Sequence, residues 1–170
     1  MLGTGYVQQL RRKRELLGRE LARYDSLKEA RILNTLPSPD GAGYRNRARM
    51  AFGVSRQGGT RLGYFRAGTR EIVDAPQCGV LVPELLDTTR RLRKFLATNR
   101  YVPRELRHLD LRCGSDPGRQ HLILVFRSKE MPRFPLEALQ KAAPAVDGIS
   151  MNLNPGGGPQ VIRGSVKHLW

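Results

Sequence analysis

Acid is in short supply beside base: 15 Asp and Glu stand against 30 Lys and Arg, a formal charge of +15. Such an imbalance does not specify a fold, but it selects polyanionic partners, with RNA or DNA first. There is no run of about 18 apolar residues, so no membrane-spanning helix is expected. The opening MLGTGYVQQLRRKRELL lacks the apolar stretch of a secretory signal. Two cysteines, Cys78 and Cys113, are too few for a disulfide scaffold and fit a cytoplasmic protein with reduced thiols. Large apolar residues are sparse on the basic helices, which counts against an anionic membrane surface as the partner. His108, His121 and His168 show no spacing that suggests a metal site or a triad, and no carboxylate pair stands out. Spacing alone therefore yields no active site.

What is there reads as an α+β chain: an antiparallel or mixed sheet with helices packed on one face. Tyr6, Leu10, Leu17, Leu21 and Tyr24 recur at helical spacing and predict a helix over Val7 to Tyr24. Two prolines and a glycine make Leu36 to Gly41 a loop. Strands are expected over Tyr44 to Ser55 and Thr60 to Ala67, joined by a turn at Gln57-Gly58-Gly59. A short strand at Glu71 to Asp74 leads into a loop holding Pro76 and Cys78. Pro83 suits a helix first turn, and Leu85, Leu92 and Leu96 extend that helix to Thr98.

Leu106 to Cys113 alternates, with Leu109, Leu111 and Cys113 on one side. Gly114 to Gly118 reverses the chain, and His121 to Phe126 is apolar enough for a central strand buried on both faces. A short helix opens at Phe134-Pro135-Leu136. Ile149, Met151 and Leu153 alternate as a strand, Asn154 to Pro159 breaks it, and Val161-Ile162 starts another. The divisions expected are 1–40 (helix and linker), 41–103 (arginine-rich hairpin plus helix) and 104–170 (strand-strand-helix-strand), all in one compact domain. The ending on Leu169-Trp170, within an extended segment, reads as a piece of something longer.

The stretch GYRNRARMAFG, Gly43 to Gly53, carries the main functional signal. As a strand it places Ala48, Met50 and Phe52 on one face with Tyr44 and Asn46, and Arg45, Arg47 and Arg49 on the other. Guanidiniums on alternate strand residues lie roughly 7 Å apart, comparable to successive phosphates of a nucleic acid. Arg61 and Arg66 on the partner strand widen the patch. Tyr64 and Phe65 are adjacent, so one faces the core and the other is placed to stack on a base. A solvated, merely soluble sheet face is the alternative.

Two glycine-bearing segments fail as cofactor loops. LRCGSDPG, Leu111 to Gly118, is followed by a strand rather than the helix a phosphate or cofactor turn requires. Gly156 to Gly158 is followed by Pro159, with no lysine in place.

Together these residues resemble the central region of the bacterial RNA uracil-5-methyltransferases, closest to the branch that modifies 23S ribosomal RNA. The resemblance rests on Tyr6, Gln9, Leu10 and Lys13, on Tyr44 to Arg49 (YRNRAR), on Leu62 to Phe65, on Ile72 to Cys78 (IVDAPQC), on Leu106 to Leu109 and on Ile149 to Asn154. It implies a three-part enzyme using S-adenosylmethionine, in which this region grips RNA and the catalytic cysteine and base lie in a C-terminal domain absent here. The strand reading gives Arg45, Arg47, Arg49, Arg61, Tyr64 and Arg66 as the expected RNA contacts, and the resemblance implies no catalytic residue in this chain. Cys78 matches the fourth ligand of a [4Fe–4S] cluster whose other three ligands would lie upstream. The expectation is thus an RNA-recognition portion of a split or truncated methyltransferase, inactive alone, partnered by RNA (23S rRNA first) and by a separately encoded catalytic domain. The other reading is a standalone basic RNA-binding or ribosome-associated module.

Overall fold

Strand β4 (Leu106–Cys113) is the hub of the chain, because its alternation gives it two different faces. Leu109, Leu111 and Cys113 point to the core, while His108, Asp110 and Arg112 point to the opposite side of the sheet. In the computed structural model, which describes residues 4–55, 59–156, 158 and 160–170, β4 pairs on one side with β1 (Arg47–Val54) and on the other with β5 (Gln120–Phe126). Around them lie β2 (Thr60–Phe65), β3 (Ile72–Asp74), β6 (Val146–Leu153) and β7 (Val166–His168), in the sheet order β3-β2-β1-β4-β5-β6-β7. All neighbours are antiparallel except β5 and β6. Those two run parallel, with α3 (Leu136–Ala142) in the connection.

Helix α2 (Pro83–Thr98) covers the core face together with α3. Leu85, Leu92, Phe95 and Leu96 of α2 and Leu139 of α3 pack on Ala48, Met50, Phe52, Leu62, Leu109, Leu111, Leu122 and Leu124. Among the described residues this is the expected α+β arrangement, a mixed seven-stranded sheet with helices on one face. None of the described helices is long and apolar enough to cross a membrane.

The chain divides into two compact units, Met1–Gly41 and Ala42–Trp170. In the first, α1 (Tyr6–Leu21) is followed by a short turn of 3-10 helix at Asp25–Leu27. An extended segment then runs back along α1: Thr35 donates to the Leu10 carbonyl at 3.1 Å, and the Ser38 amide donates to the Tyr6 hydroxyl at 2.6 Å. The sheet and the other two helices make up the second unit.

Some expected elements differ, among them α1, which ends at Leu21 rather than Tyr24, and β2, which ends at Phe65 rather than Ala67. β1 begins at Arg47 rather than Tyr44, because the backbone of Arg45 pairs with Val80 and Val82 in a parallel bridge ahead of α2. No strand starts at Val161-Ile162, since the Asn154 side-chain amide takes the carbonyls of Gln160 and Val161 at 2.9 Å each. The last strand forms at Val166 instead. The expected turn at Gln57-Gly58 and parts of the Asn154 to Pro159 loop lie outside the described residues.

Candidate nucleic-acid interface

Opposite the helices, β1 and β4 bring three arginines onto one carboxylate. Register sets Arg49 across from Asp110 and Arg47 across from Arg112. Two like charges facing each other across strands repel, and Asp110 resolves this by accepting from all three. Arg47 donates through Nε and Nη2 at 2.9 and 2.6 Å, Arg49 through Nε at 2.8 Å, and Arg112 through Nε at 2.9 Å. The Asp110 side chain is fully buried, while the three arginines keep about two-fifths of their side-chain surface exposed. Burial opposes the charge on Asp110, but the hydrogen bonds from Arg47, Arg112 and Arg49 outweigh it and hold the carboxyl far below the usual range. Three positive charges against one negative leave the cluster with a surplus of two.

Beside this cluster is a depression of about 1080 Å³. Arg49, Arg70, Arg107 and Arg127 line it, together with Ala51, Tyr64, Phe65, His108 and Val161. No acidic residue is among the described residues that line it. Phe65, half exposed, meets His108 edge to face with ring centroids 6.0 Å apart. The segment after β6 is drawn over this side of the sheet by buried Asn152 and Asn154, whose amides donate to backbone carbonyls of residues 160–165, and by Arg107, which donates to the Gly156 carbonyl.

His108 is nearly inaccessible, and burial, aided by Arg107 and Arg49, pushes its pKa down to about 4 against an opposing pull from the Met50 backbone. The imidazole is therefore neutral at physiological pH. A depressed histidine pKa favours the unfolded chain once that chain begins to protonate. The stability present above pH ~6.5 should fall by up to about 3 kcal/mol as the pH drops to ~4. Urea unfolding across that range checks this, and His108→Phe, which cannot titrate, should flatten the profile.

The expected contact residues are distributed unevenly. Arg47 and Arg49 share the Asp110 cluster, so the row is not a set of free guanidiniums, and Arg45 is removed from it by its backbone bridge. Arg61 is exposed in a neighbouring depression shared with Arg70 and Glu71. Arg66 is exposed and held by Glu71 at 2.7 Å. Tyr64 lines the depression as well as packing on the core beside Cys78, and its enclosed hydroxyl has no hydrogen-bond partner among the described residues. Burial foremost, then Cys78, raises the Tyr64 pKa. The aromatic on the arginine side is Phe65.

Cys78 is half-buried against the core. No group of three or more His, Cys, Asp or Glu among the described residues is placed to hold a metal ion. A cluster bound by four thiolates does not fit a chain with two cysteines. Cys113 is buried, and burial raises its thiol pKa, which keeps it protonated.

Sequence reasoning missed Asp110, Arg70, Arg112 and Arg127, and it did not link the histidines. His121 Nε2 lies 2.9 Å from Ser150 Oγ, which lies 3.3 Å from His168 Nδ1. One signal was available for Asp110: a lone acid inside a strand, flanked by Arg107 and Arg112, in a chain this basic.

No family model matches the chain. Individual proteins do. An uncharacterized RNA methyltransferase of Halalkalibacterium halodurans is 26% identical over 174 residues, spanning 97% of this chain and 38% of that protein. One from Nostoc is 27% identical over 159 residues, spanning 88% and 35%. One from Parasynechococcus marenigrum is 34% identical over 125 residues, spanning 68% and 26%. The chain is similar to RNA methyltransferases. It spans between about a quarter and two-fifths of the length of these curated relatives. Among solved structures, the Pyrococcus abyssi tRNA (uracil-54, C5)-methyltransferase in complex with S-adenosyl-L-homocysteine superposes with a TM-score of 0.68 at 22% identity, over 98% of this chain and 39% of that one. At that identity the likeness establishes the fold.

Proposed function

We infer that this chain is the RNA-gripping part of an S-adenosylmethionine-dependent RNA (uracil-5-)-methyltransferase. The observation that carries it is the guanidinium-walled depression, four arginines with no acidic residue among its described lining, next to a cluster that is itself two charges positive. Similarity to RNA methyltransferases supports RNA as the polyanion. The YRNRAR and IVDAPQC segments favour 23S rRNA as the first RNA to test, with tRNA as the comparison.

The residues lining the depression do not fit S-adenosylmethionine. That cofactor carries a sulfonium and an ammonium group against one carboxylate, a net positive charge that four guanidiniums disfavour. On this reading the cofactor and the methyl transfer belong to another part of the parent enzyme, and this chain alone should bind RNA without methylating it.

Binding should be electrostatic. If Arg49, Arg70, Arg107 and Arg127 each meet one phosphate, the log–log salt slope is about −2.8 for single-stranded RNA, or about 50-fold weaker binding at 200 mM than at 50 mM salt. Fluorescence anisotropy against a 23S rRNA fragment and a tRNA measures it. Arg107→Glu should weaken binding and reduce the slope by about 0.7 or more. An affinity that ignores salt overturns the reading.

A further inference from the structure

We propose that the arginine-walled depression receives a single unpaired nucleotide, with the base stacked on Phe65 and its flanking phosphates held by Arg49, Arg107 and Arg127. This rests on the RNA-gripping reading and goes beyond it. A surface that only tracks a backbone needs cations; this one also presents a half-exposed aromatic ring among them.

Three observations point to a base. Phe65 is half exposed in the midst of guanidiniums, with Ala51 and Val161 alongside it. Its ring stands at 84° to His108, an edge-to-face contact that fixes its orientation without covering it by a second stacked ring. His108 itself is neutral at physiological pH, so the ring in edge contact with Phe65 adds no competing cation. The size agrees: small-ligand sites run to about 1,000 Å³, and this depression, at about 1080 Å³, has room for a nucleotide and its neighbouring phosphates.

The same geometry selects against paired RNA. In an A-form helix every base is stacked on its neighbours and its edges lie in grooves, so an aromatic ring on the protein surface cannot reach a base face. A bulged, looped or terminal nucleotide can swing in. An acidic protein segment would satisfy the arginines but leave Phe65 without a planar partner, and the nucleotide is the occupant that uses both.

The experiment uses the 170-residue chain and three hairpin RNAs of equal charge: one with a single bulged adenosine, one with an abasic residue at the bulge, and one fully paired. The chain should prefer the bulged adenosine by about tenfold over either of the others, within the range for base–aromatic stacking. Phe65→Ala should bind all three equally while keeping its salt slope, and Phe65→Tyr should restore the preference. Thermal unfolding of both variants confirms that they fold. Equal binding of bulged and abasic hairpins by the unaltered chain, or a preference that survives Phe65→Ala, overturns the proposal while leaving the electrostatic reading intact. Loss of salt-dependent binding to every RNA would instead remove the reading on which it rests. Displacement of RNA by a poly-glutamate peptide as readily from the unaltered chain as from Phe65→Ala would point to an acidic protein partner and also overturn the proposal.

Discussion

Asp110→Asn should lower the stability of the folded chain by about 3 kcal/mol and, on the proposed RNA-binding reading, tighten RNA binding in the same protein. Both effects follow from one carboxylate that serves three arginines. Removing one partner of a buried ion pair costs about 3–5 kcal/mol when the remaining charge is stranded away from water. Here Asp110 is fully buried but its partners are 40–41% exposed, so water reclaims part of their solvation and the lower end of that range applies. Mutual repulsion then acts within the cluster, and it should be partly relieved by salt.

A phosphate oxygen can take the place of the lost acceptor. One additional phosphate contact is worth about eightfold in affinity at 50 mM salt. Urea unfolding and anisotropy on the same preparation test the pair of outcomes. If stability falls and RNA affinity falls with it, the arginines are structural and do not face RNA. The carboxyl also sets an acid limit. Because its folded pKa is depressed, its contribution is complete above pH ~4 and is lost as the pH falls further.

Gly63→Ala is expected to be comparably severe for a different reason. A Cβ at Gly63 would press on the Val73 carbonyl oxygen and lie 2.8 Å from its carbon and 3.1 Å from the Asp74 Cα. These are backbone atoms of the paired strand β3, so no rotamer change relieves the clash. Overpacking typically costs about 1–3 kcal/mol, and the rigid obstacle sets the expectation near 3. Gly114→Ala, where nothing lies within 4 Å and φ is not positive, is the control and should be within about 0.5 kcal/mol of the parent. Equal melting temperatures for the two variants would contradict the argument.

The elements legible in the sequence were those fixed by local rules. Pro83 at the first turn and three leucines at helical spacing place α2 at Pro83–Thr98, and the alternation of Leu109, Leu111 and Cys113 places β4, which runs Leu106–Cys113 with a bulge after Leu106, both as read. What was not legible depends on partners far along the chain. Periodicity cannot reveal that β1 sits beside β4, some 60 residues away, and that pairing gives Arg47 and Arg49 their carboxylate. Alternation correctly put Asp110 opposite the core face but left its burial invisible, because a strand's outer face is solvated by default. Likewise Arg45 belongs to the row by spacing alone, and only the bridge to Leu81 shows where the row stops. For Tyr64 and Phe65 the sequence supplied the alternation but not its phase.

The two outermost strands, β3 and β7, are three residues each, whereas β1, β4 and β6 are eight. Border strands that short offer a passing polypeptide little unpaired backbone on which to template, and Lys167 on β7 adds a charge to one of them. The long ribbons, which would be adhesive if bared, are walled in from either side. If the chain gathers on RNA as proposed, its copies are crowded together, and this arrangement hinders them from zipping together along their margins.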